Sequence, residues 1–426
     1  MHIAIIGSGP AGAAAGILLT AAGARVTLLD DGKHPEMVVG ESLVPAVVPI
    51  LRRLGIEQEI GDLGCVKPGA SFIWSSSVQF EFNFARFAPA VPPYAYNVPR
   101  PQFDNVLSKR AAASGVCRVH ARAKVIAREG SGAEIELSPE TLALAPSFEG
   151  RQPDYIIDAS GRARCIARAL SIPAAIGPRD DIAHFAHFKD TRWDFPPGQI
   201  VVNRLKAGWS WCIPLKDRLS VGIVAGRQYW AGIEGNPGER LARAIADEPA
   251  LQRIIDRGTR ISPVATYTNY QLVSERGSGR GWAAIGDAFG FVDPMLSPGV
   301  FLSLHSAERV ADALAPFISD RTAGTSEAID QGIGHYATAQ RATLAAWMEL
   351  IGYFYDGRLP AMVDAGHEWL GMHPSKIKSA LQNHIERRMA LLACGVGTTS
   401  NYGRVLLRLL GRHGLRGRVP ENFAIA

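Results

Sequence analysis

The 426-residue chain carries 45 Lys and Arg against 40 Asp and Glu, and 47% of its residues are hydrophobic. This composition is that of an ordinary globular protein with two or three packed units, and the small net charge of +5 does not suggest nucleic-acid binding. Five scattered cysteines without CxxC spacing argue against a disulfide framework or a zinc site. With no basic leader and no uninterrupted apolar run, we expect a soluble cytoplasmic protein with no membrane partner.

The chain begins with a buried strand that runs directly into the motif GSGPAG at 7–12 and an alanine-rich helix. A GxGxxG motif alone is weak, but here the next strand closes with Asp30, and the whole unit predicts a dinucleotide site. Gly7 would permit the tight turn, Gly9 the approach of a pyrophosphate, and Gly12 the packing of helix on strand. The residues predicted to bind the dinucleotide here are Gly7, Gly9, Ala11, Gly12 and Asp30.

A second glycine-rich stretch, GDAFGFVDPMLSPGV at 286–300, follows a short predicted strand and precedes an apolar-periodic helix through Leu314. A loop of this kind delivers backbone N–H groups and a helix N-terminus to one point, which suits an anion or an electron-rich ring that gains negative charge. Taken alone, the stretch could equally be a simple strand–turn–helix connection. Its interpretation depends on the motifs around it.

After Asp30 the chain leaves the βα pattern and returns to it only at YIIDASGR, 155–162, and at 283–287. A nucleotide-binding sheet interrupted by insertions is the layout of FAD-dependent oxygenases, and the three motifs in this order resemble the p-hydroxybenzoate hydroxylase superfamily. The resemblance implies that FAD is the dinucleotide and that Asp287 and Arg100 lie beside it. From the residues alone, Asp287 could instead cap a turn and Arg100 could form a solvated ion pair.

Within that frame, GES at 40–42, KPGASFIW at 67–74, WSWCIP at 209–214 and the FxxPxxSxG pattern at 291–299 resemble the flavin-dependent halogenases. The resemblance implies that Lys67 carries an oxidised halogen to the substrate ring and that the tryptophans keep the substrate away from the flavin. Without it, Lys67 could be an ordinary surface lysine. Ser42 joins the predicted cofactor site, and the predicted substrate pocket comprises Phe72, Trp74, Trp209 and Trp211.

One residue departs from the halogenase pattern. Between the serine and the glycine of that loop, where halogenases offer a backbone N–H to the halide, this chain has Pro298, which has none. Proline also suits the first position of a helix. Losing one donor to a desolvated halide costs about 1–3 kcal/mol, roughly a tenfold to hundredfold weaker site. We therefore assign Lys67, Pro298 and Gly299 as the catalytic set, with Gly299 and Val300 stabilising charge on the flavin.

The predicted fold class is α/β, with a Rossmann-type FAD-binding domain at 1–170 and 260–330, an inserted antiparallel-sheet substrate domain at 171–259 and a helical C-terminal region at 331–426. His184 and His187 lie on an alternating segment of the insertion and read as core or rim residues more readily than as substrate contacts. The C-terminal region predicts helices at 331–355, 375–392 and 402–410, and no cluster has metal-ligand spacing.

The last predicted helix places Arg404, Arg408, Arg412 and Arg416 along one face at a spacing of four residues. Val405, Leu406, Leu409 and Leu410 are expected on the opposite face, toward the core. A solvated face is the simpler explanation for any one of these arginines. A row of four also fits an acidic partner or a protein substrate.

These features predict an FAD-dependent monooxygenase that hydroxylates an indole or phenol ring through a flavin C4a-hydroperoxide formed with O2. One candidate substrate is a tryptophan side chain in a peptide or protein. That is the substrate type of the monooxygenases of tryptophylquinone biogenesis, such as the one serving quinohemoprotein amine dehydrogenase. The alternatives are a flavin-dependent aromatic halogenase that uses Lys67 and a non-catalytic flavin-binding partner protein. The electron source is NAD(P)H or a separate flavin reductase, and the oligomeric state stays open.

Overall fold

The computed structural model describes residues 1–33, 35–75, 78–130, 132–269, 271–319, 326–371 and 376–426. The strands in chain order are β1 His2–Ile6, β2 Arg25–Asp30, β3 Cys65–Lys67, β4 Gly69–Ile73, β5 Gln79–Asn83, β6 Ala95–Asn97, β7 Cys117–His120, β8 Val125–Ala127, β9 Ile135–Leu137, β10 Tyr155–Asp158, β11 Ala174–Ile176, β12 Asp181–Lys189, β13 Ile200–Arg204, β14 Trp209–Pro214, β15 Leu219–Gly226, β16 Thr259–Arg260, β17 Ala265–Asn269, β18 Leu272–Ser274, β19 Ser278–Gly279, β20 Trp282–Ala284 and β21 Gly290–Phe291.

The α-helices alternate with these strands in the first two thirds of the chain and dominate the last third. In chain order they are α1 Pro10–Ala21, α2 Val47–Leu54, α3 Glu57–Leu63, α4 Arg100–Ala113, α5 Pro139–Leu144, α6 Cys165–Ala169, α7 Arg227–Ala231, α8 Pro237–Ala246, α9 Pro249–Ile255, α10 Pro298–Ser319, α11 Ser326–Tyr355, α12 Arg358–Gly371, α13 Lys376–Ala393 and α14 Asn401–His413. None of the described helices is long and apolar enough to cross a bilayer.

A six-stranded sheet organises the nucleotide-binding part, with strand order β19-β20-β10-β1-β2-β7. The strands from β20 to β7 run parallel, so the carboxyl ends of β1, β10 and β20 lie side by side. β1, β10 and β20 are buried along almost their whole length because helices such as α1 cover the sheet, whereas the edge strand β7 is mostly exposed. The predicted Rossmann-type α/β class is confirmed, and the three sequence motifs that follow these strands meet at one edge of the sheet.

The second large sheet has eight strands, seven in the order β16-β12-β15-β14-β13-β4-β5 and β17 paired with β12. Its register is antiparallel except between β13 and β4, which run parallel. β4, β5 and β17 lie outside the segment 171–259, so the sheet also draws strands from both flanking parts of the chain. The predicted domain boundaries stay a prediction, but the sheet joins the KPGASFIW and WSWCIP motifs, which sit on β4 and β14.

The C-terminal region is helical as predicted, and it contains one further helix, α12, between α11 and α13 that was not predicted. The predicted start of the second-last helix, Ser375, lies outside the described residues. The orientation predicted for α14 is wrong: Val405 is 50% and Leu409 54% exposed, whereas Leu407 is 1% exposed and faces the core. Small residues explain the difference, because Gly411 sits against the Tyr353 ring and lets this other side of α14 approach α11.

Candidate active site

The glycine-rich turn joins β1 to α1 beside the end of β10. Gly7 has φ +103°, and a Cβ there would lie 2.4 Å from the carbonyl oxygen of Ala159. A Cβ at Gly12 would lie 1.9 Å from the carbonyl oxygen of Gly7, so both positions need glycine for packing. A Cβ at Gly9 meets nothing within 4 Å. The backbone at Gly9 therefore faces open space at the N-terminus of α1, where a pyrophosphate would be stabilised by the helix dipole.

Asp30, at the end of β2, is buried and already well bonded. Its carboxylate accepts hydrogen bonds from the Ser8 hydroxyl, the Gly32 backbone N–H at 2.7 Å and the Arg118 guanidinium at 2.8 Å. Arg118 comes from β7, the neighbouring strand, and no sequence motif indicated it. Asp30 is thus held rigidly at the position where an adenosine ribose would reach the sheet, and its ribose contact stays a prediction.

One cavity of about 260 Å³ runs from the N-terminus of α1 to the tryptophans of β14. Among the predicted site residues, its lining includes Gly9, Ala11, Ser42, Lys67, Phe72, Arg100, Trp209, Trp211, Asp287, Gly299 and Val300. Gly7, Gly12, Asp30, Trp74 and Pro298 are not part of this lining. The cavity therefore joins the predicted cofactor and substrate residues into one space, continuous across the two sheets.

The flavin-side residues predicted from the resemblance lie together in this cavity. Asp287 sits in a single 3-10 turn at Gly286–Ala288, and burial raises the pKa of its carboxyl to about 6, opposed by the positive charges of Arg100 and Arg162. Arg100 donates to the carbonyl oxygen of Val39 at 2.6 Å and pairs with Asp104 at 3.2 Å. Asp287, Arg100 and Arg162 all line the cavity, so this end of it offers both a carboxylate and two guanidinium groups to a polar ligand.

Lys67 lies in the cavity wall without an ion pair to any described carboxylate. Its ammonium donates to the carbonyl oxygen of Leu43 at 2.9 Å and lies 5.5 Å from the centre of the Phe84 ring. Burial lowers the pKa of Lys67 to about 7. The lysine is thus not the solvated surface group that a lone lysine usually is; it is poised between its two protonation states near neutral pH.

The two tryptophans of β14 line the cavity and are fixed by hydrogen bonds. The Trp209 indole donates to the Tyr355 hydroxyl at 3.0 Å, and that hydroxyl donates to Asp293 at 3.1 Å. Trp211 donates to the Ser220 hydroxyl at 3.3 Å. The indoles are therefore held in place by hydrogen bonds to two other elements, α11 and β15.

Phe72 also lines the cavity, where its ring stacks on that of Phe80 with centroids 4.9 Å apart. Trp74, two residues on, has a different environment. Its indole donates to the carbonyl oxygen of Phe423 at 2.7 Å and packs against Phe354. The predicted place of Trp74 in the substrate pocket is thus not where the structure puts it, and its visible role is to hold the C-terminal residues.

The loop before α10 carries the residues on which the choice of chemistry depends. Leu296 and Ser297 both have positive φ, +66° and +60°, and the Ser297 N–H donates to the carbonyl oxygen of Pro294 at 3.0 Å. α10 begins at Pro298, as predicted. The Ser297 N–H is therefore already used, Pro298 has none, and the first backbone donors free to face the cavity are those of Gly299 and Val300.

Two adjacent polar groups lie in the cavity wall: Glu41, which was not assigned a role from sequence, and Ser42, which was assigned to the cofactor site. Glu41 is 4% exposed and accepts a hydrogen bond from His187 Nε2 at 2.9 Å. Its neighbour Ser42 is 1% exposed, and its hydroxyl has no hydrogen-bond partner among the described residues. A buried hydroxyl without a partner costs free energy unless a ligand supplies one, so Ser42 marks a place where a bound group belongs.

The two histidines of β12 differ. His184 is buried against the Trp230 ring and shares a hydrogen bond with the Thr266 hydroxyl at 2.8 Å, and burial lowers its pKa to about 4. It is a core residue, as the sequence indicated. His187 points to the other face and reaches Glu41. The GES motif was the only sequence signal for this pair, because 146 residues separate its members.

Comparison with known proteins gives relatives along most of the chain. A family model described as FAD binding domain matches residues 1–330. The tryptophan 2-halogenase of Chondromyces crocatus is 27% identical over 83% of this chain and 67% of its own length. A 1H-pyrrole-2-carbonyl-(peptidyl-carrier protein) brominase of Pseudoalteromonas luteoviolacea (strain 2ta16) is 31% identical over 73% of this chain and 76% of its own length.

The solved structure of the flavin-dependent brominase Bmp2 has a TM-score of 0.76 at 23% identity and covers 97% of this chain and 99% of its own. At that identity it supports the fold alone. Together the relatives support the halogenase and monooxygenase superfamily and favour halogenation over hydroxylation among its members. They do not extend to the monooxygenases of tryptophylquinone biogenesis, and that narrower assignment stays a prediction.

Proposed function

The chain belongs to the FAD binding domain family, and we propose that it is a monooxygenase that transfers oxygen to an indole or phenol ring held in the cavity. It is an FAD-dependent oxidoreductase, so the alternative of a non-catalytic flavin-binding partner is not favoured. The proposed substrate class includes a tryptophan side chain presented by a peptide or protein. The single observation that carries oxygen transfer is the missing donor at Pro298.

The residues present fit FAD. Open space in front of Gly9 leaves room for a pyrophosphate at the N-terminus of α1, and the unpartnered hydroxyl of Ser42 offers a hydrogen bond inside the cavity. Gly299 and Val300 present backbone N–H groups at the N-terminus of α10, where the helix dipole stabilises negative charge. When bound and reduced, FAD supplies oxygen activated from O2. The electron donor, NAD(P)H or a separate reductase, is left open by these residues.

The geometry of the loop before α10 disfavours a halide site. A desolvated halide beside the flavin needs backbone N–H donors from this turn, but the Ser297 N–H is bonded to Pro294 and residue 298 has no N–H. One missing charge-assisted hydrogen bond costs about 1–3 kcal/mol, a tenfold to hundredfold loss of halide affinity. At ordinary halide concentrations oxygen transfer is then the faster outcome for an aromatic ring in the cavity.

Glu41 is the residue that this geometry offers as a proton acceptor. When a ring carbon gains oxygen, it must lose its proton for the ring to become aromatic again. Glu41 lies in the cavity wall, and His187 holds its carboxylate from the side of β12. We assign Glu41 as the acceptor of that proton and His187 as the residue that positions it.

The second candidate, a flavin-dependent aromatic halogenase, is favoured by two observations. The relatives are halogenases, and Lys67 lies buried in the cavity with its pKa lowered to about 7, which leaves part of its amine neutral and nucleophilic. Trp209 and Trp211, which in that family separate substrate from flavin, also line the cavity. Pro298 disfavours this candidate, because it has no N–H at the position that should complete the halide site.

Product mass separates the two candidates. The FAD-loaded protein is incubated with a reductant, O2 and bromide, together with indole, phenol, tryptophan or a tryptophan-containing peptide, and the products are read by mass spectrometry. Our proposal expects the mass of one added oxygen atom. A brominated product as the main species would reverse the order of the two candidates, and flavin oxidation without any modified aromatic would reject both.

A further inference from the structure

An exposed apolar face lies on the last two long helices. Its side chains, 49% to 82% exposed, are Ile377 and Leu381 of α13 and Tyr402, Val405 and Leu409 of α14. On each helix the spacing is three or four residues, so each set forms one stripe along its helix. Several large exposed apolar side chains in one place mark an interaction surface more often than scattered single ones do.

The two stripes join into one surface. The Tyr402 hydroxyl shares a hydrogen bond with His384 Nε2 at 2.9 Å, and the Arg388 guanidinium lies 5.0 Å from the centre of the Tyr402 ring. His384 and Arg388 continue the α13 stripe of Ile377 and Leu381 by one helical turn each. We call this surface the α13–α14 face.

The face is strongly basic. Residues 376–418 contain nine Lys and Arg and a single Glu, whereas the whole chain carries a net charge of only +5. Arg404 and Arg408 share Glu349, and Arg418 is paired with Asp364 and Glu368, so these three arginines together add little to the net charge. Lys376, Arg387 and Arg412 are exposed and make no ion pair with any described carboxylate. Arg412 follows Val405 by seven residues and so lies on the same stripe.

The C-terminal end of α13 reaches the active-site cavity. Ala393, the last residue of α13, and Cys394 line that cavity. The carbonyl oxygen of Cys394 accepts a hydrogen bond from the Ala46 N–H at 3.1 Å, which fixes the end of α13 to the segment after the GES motif. The helix that carries part of the face therefore leads from that face to the cavity wall.

We propose that the α13–α14 face docks an acidic protein that presents the aromatic group to be modified. This inference rests on the proposed function, because it names the form in which the substrate reaches the cavity. Apolar contacts would supply affinity, and the basic rim would attract and orient an acidic surface. A second copy of the chain would bring like charges together on this face, so it is disfavoured as the occupant.

The test uses a defined probe and the FAD-loaded protein. The probe is a synthetic helical peptide with leucines on one face, glutamates elsewhere and one terminal tryptophan, and its control carries lysines in place of glutamates. Fluorescence anisotropy measures binding to the wild type, to the double variant V405E/L409E and to Ile176→Glu. Ile176 is 76% exposed and lies on β11, away from the face, so that variant is a matched control.

We expect the acidic peptide to bind the wild type and the Ile176→Glu variant alike, and V405E/L409E to weaken binding at least about tenfold, since apolar contacts of this size carry that much. The lysine peptide should not bind. No binding to the wild type, equal binding to V405E/L409E or equal binding of the lysine peptide would overturn the proposal. So would a stable dimer that V405E/L409E dissociates, or V405E/L409E-sensitive binding to phosphatidylglycerol vesicles without peptide binding.

The readouts keep the two proposals apart. Turnover of free indole by V405E/L409E should equal that of the wild type, because the substitutions lie outside the cavity. Normal oxygenation of indole with no peptide binding would reject the docking surface alone. Peptide binding with no oxygenated product in any assay would reject the proposed chemistry alone.

Discussion

At the scale of single residues, the function depends on which polar groups face the cavity. Lys67 and Glu41 both lie in its wall, and the sequence marked Lys67 only through the resemblance to halogenases. Its burial and its lowered pKa could not be read from the sequence, because they arise from packing against Phe84, which follows β5, and against Cys394, which follows α13. Glu41 was visible as part of a motif, but its partner His187 is 146 residues away. Sequence spacing carries no signal for such a pair.

Replacing Lys67 by Met tests its buried charge. Burial lowers its pKa to about 7 in the folded protein, against 10.5 when it is unpacked, so in that interval the unfolded chain binds a proton that the folded protein does not. The free energy of unfolding of the wild type should therefore rise relative to that of Lys67→Met between pH 7 and 10, by up to about 1.4 kcal/mol per pH unit. Below pH 7 the difference between the two proteins should stay constant. Denaturant titrations measure this. If the difference in unfolding free energy between the two proteins did not change with pH, Lys67 would be solvated and not buried.

The same variant also separates the two chemistries. An oxygenase should lose less than about threefold of its rate on Lys67→Met, since oxygen transfer needs no amine. A halogenase of the type resembled here should lose nearly all halogenation. Product yields under identical reductant and O2 give the comparison, and complete loss of oxygenated product with FAD still bound would contradict the role we assign to the site.

Replacing Glu41 by Gln removes the proposed proton acceptor while keeping its shape. Turnover should fall by about two orders of magnitude, the usual contribution of a positioned acid or base. Ring-deuterated substrate should then show a primary isotope effect that the wild type lacks, because proton loss becomes the slow step. Glu81→Gln, on β5, is the control. An unchanged rate and isotope effect in Glu41→Gln would remove Glu41 from the mechanism.

At the scale of elements, the loop before α10 is held by partners that no motif reports. Asp293 accepts hydrogen bonds from Tyr355 of α11 and Gln271, and the same Tyr355 hydroxyl accepts one from Trp209 of β14. The sequence predicted the strand, the turn and the helix start of this segment, because glycine, proline and the spacing of apolar residues determine backbone conformation through near neighbours in the chain. It could not predict which distant helix fixes the loop.

Tyr355→Phe removes this link without changing the shape of the ring. The Trp209 indole and the Asp293 carboxylate each lose a buried partner, which should lower the free energy of unfolding by about 1–3 kcal/mol. Tyr402→Phe, at an exposed tyrosine, should change it by less than about 0.5 kcal/mol. Denaturant unfolding of both variants measures the difference. Equal values for the two would mean that the loop is fixed by other contacts.

At the scale of the whole molecule, the two-sheet architecture followed from motif order, since three Rossmann-type strands separated by insertions leave few topologies. The recruitment of β4, β5 and β17 into the second sheet was not foreseen, because pairing across 130 residues leaves no local pattern. The exposed face of α14 was also mispredicted, since both of its sides are partly apolar and only packing against α11 decides between them.

FAD should stabilise the whole chain, because its site is formed by residues from both ends of the nucleotide-binding part. At about 100 times its dissociation constant FAD should add about 2.7 kcal/mol to the free energy of unfolding. Gly9→Ala should keep the FAD-free midpoint and lose most of this gain, since its Cβ enters open space. Gly12→Ala should lower the FAD-free midpoint, since its Cβ would overlap the Gly7 carbonyl. Thermal unfolding with and without FAD distinguishes them.

The most direct test of the central claim is the bromide dependence of the products made by the wild type and by Pro298→Ala. That substitution returns one N–H to the turn, whereas Pro316→Ala returns one inside α10 away from the cavity and serves as its control. We predict oxygenated product from the wild type and the control, and a brominated fraction about tenfold higher at the same bromide concentration in Pro298→Ala. Bromination as the main reaction of the wild type, with the same bromide dependence in Pro298→Ala, would contradict it.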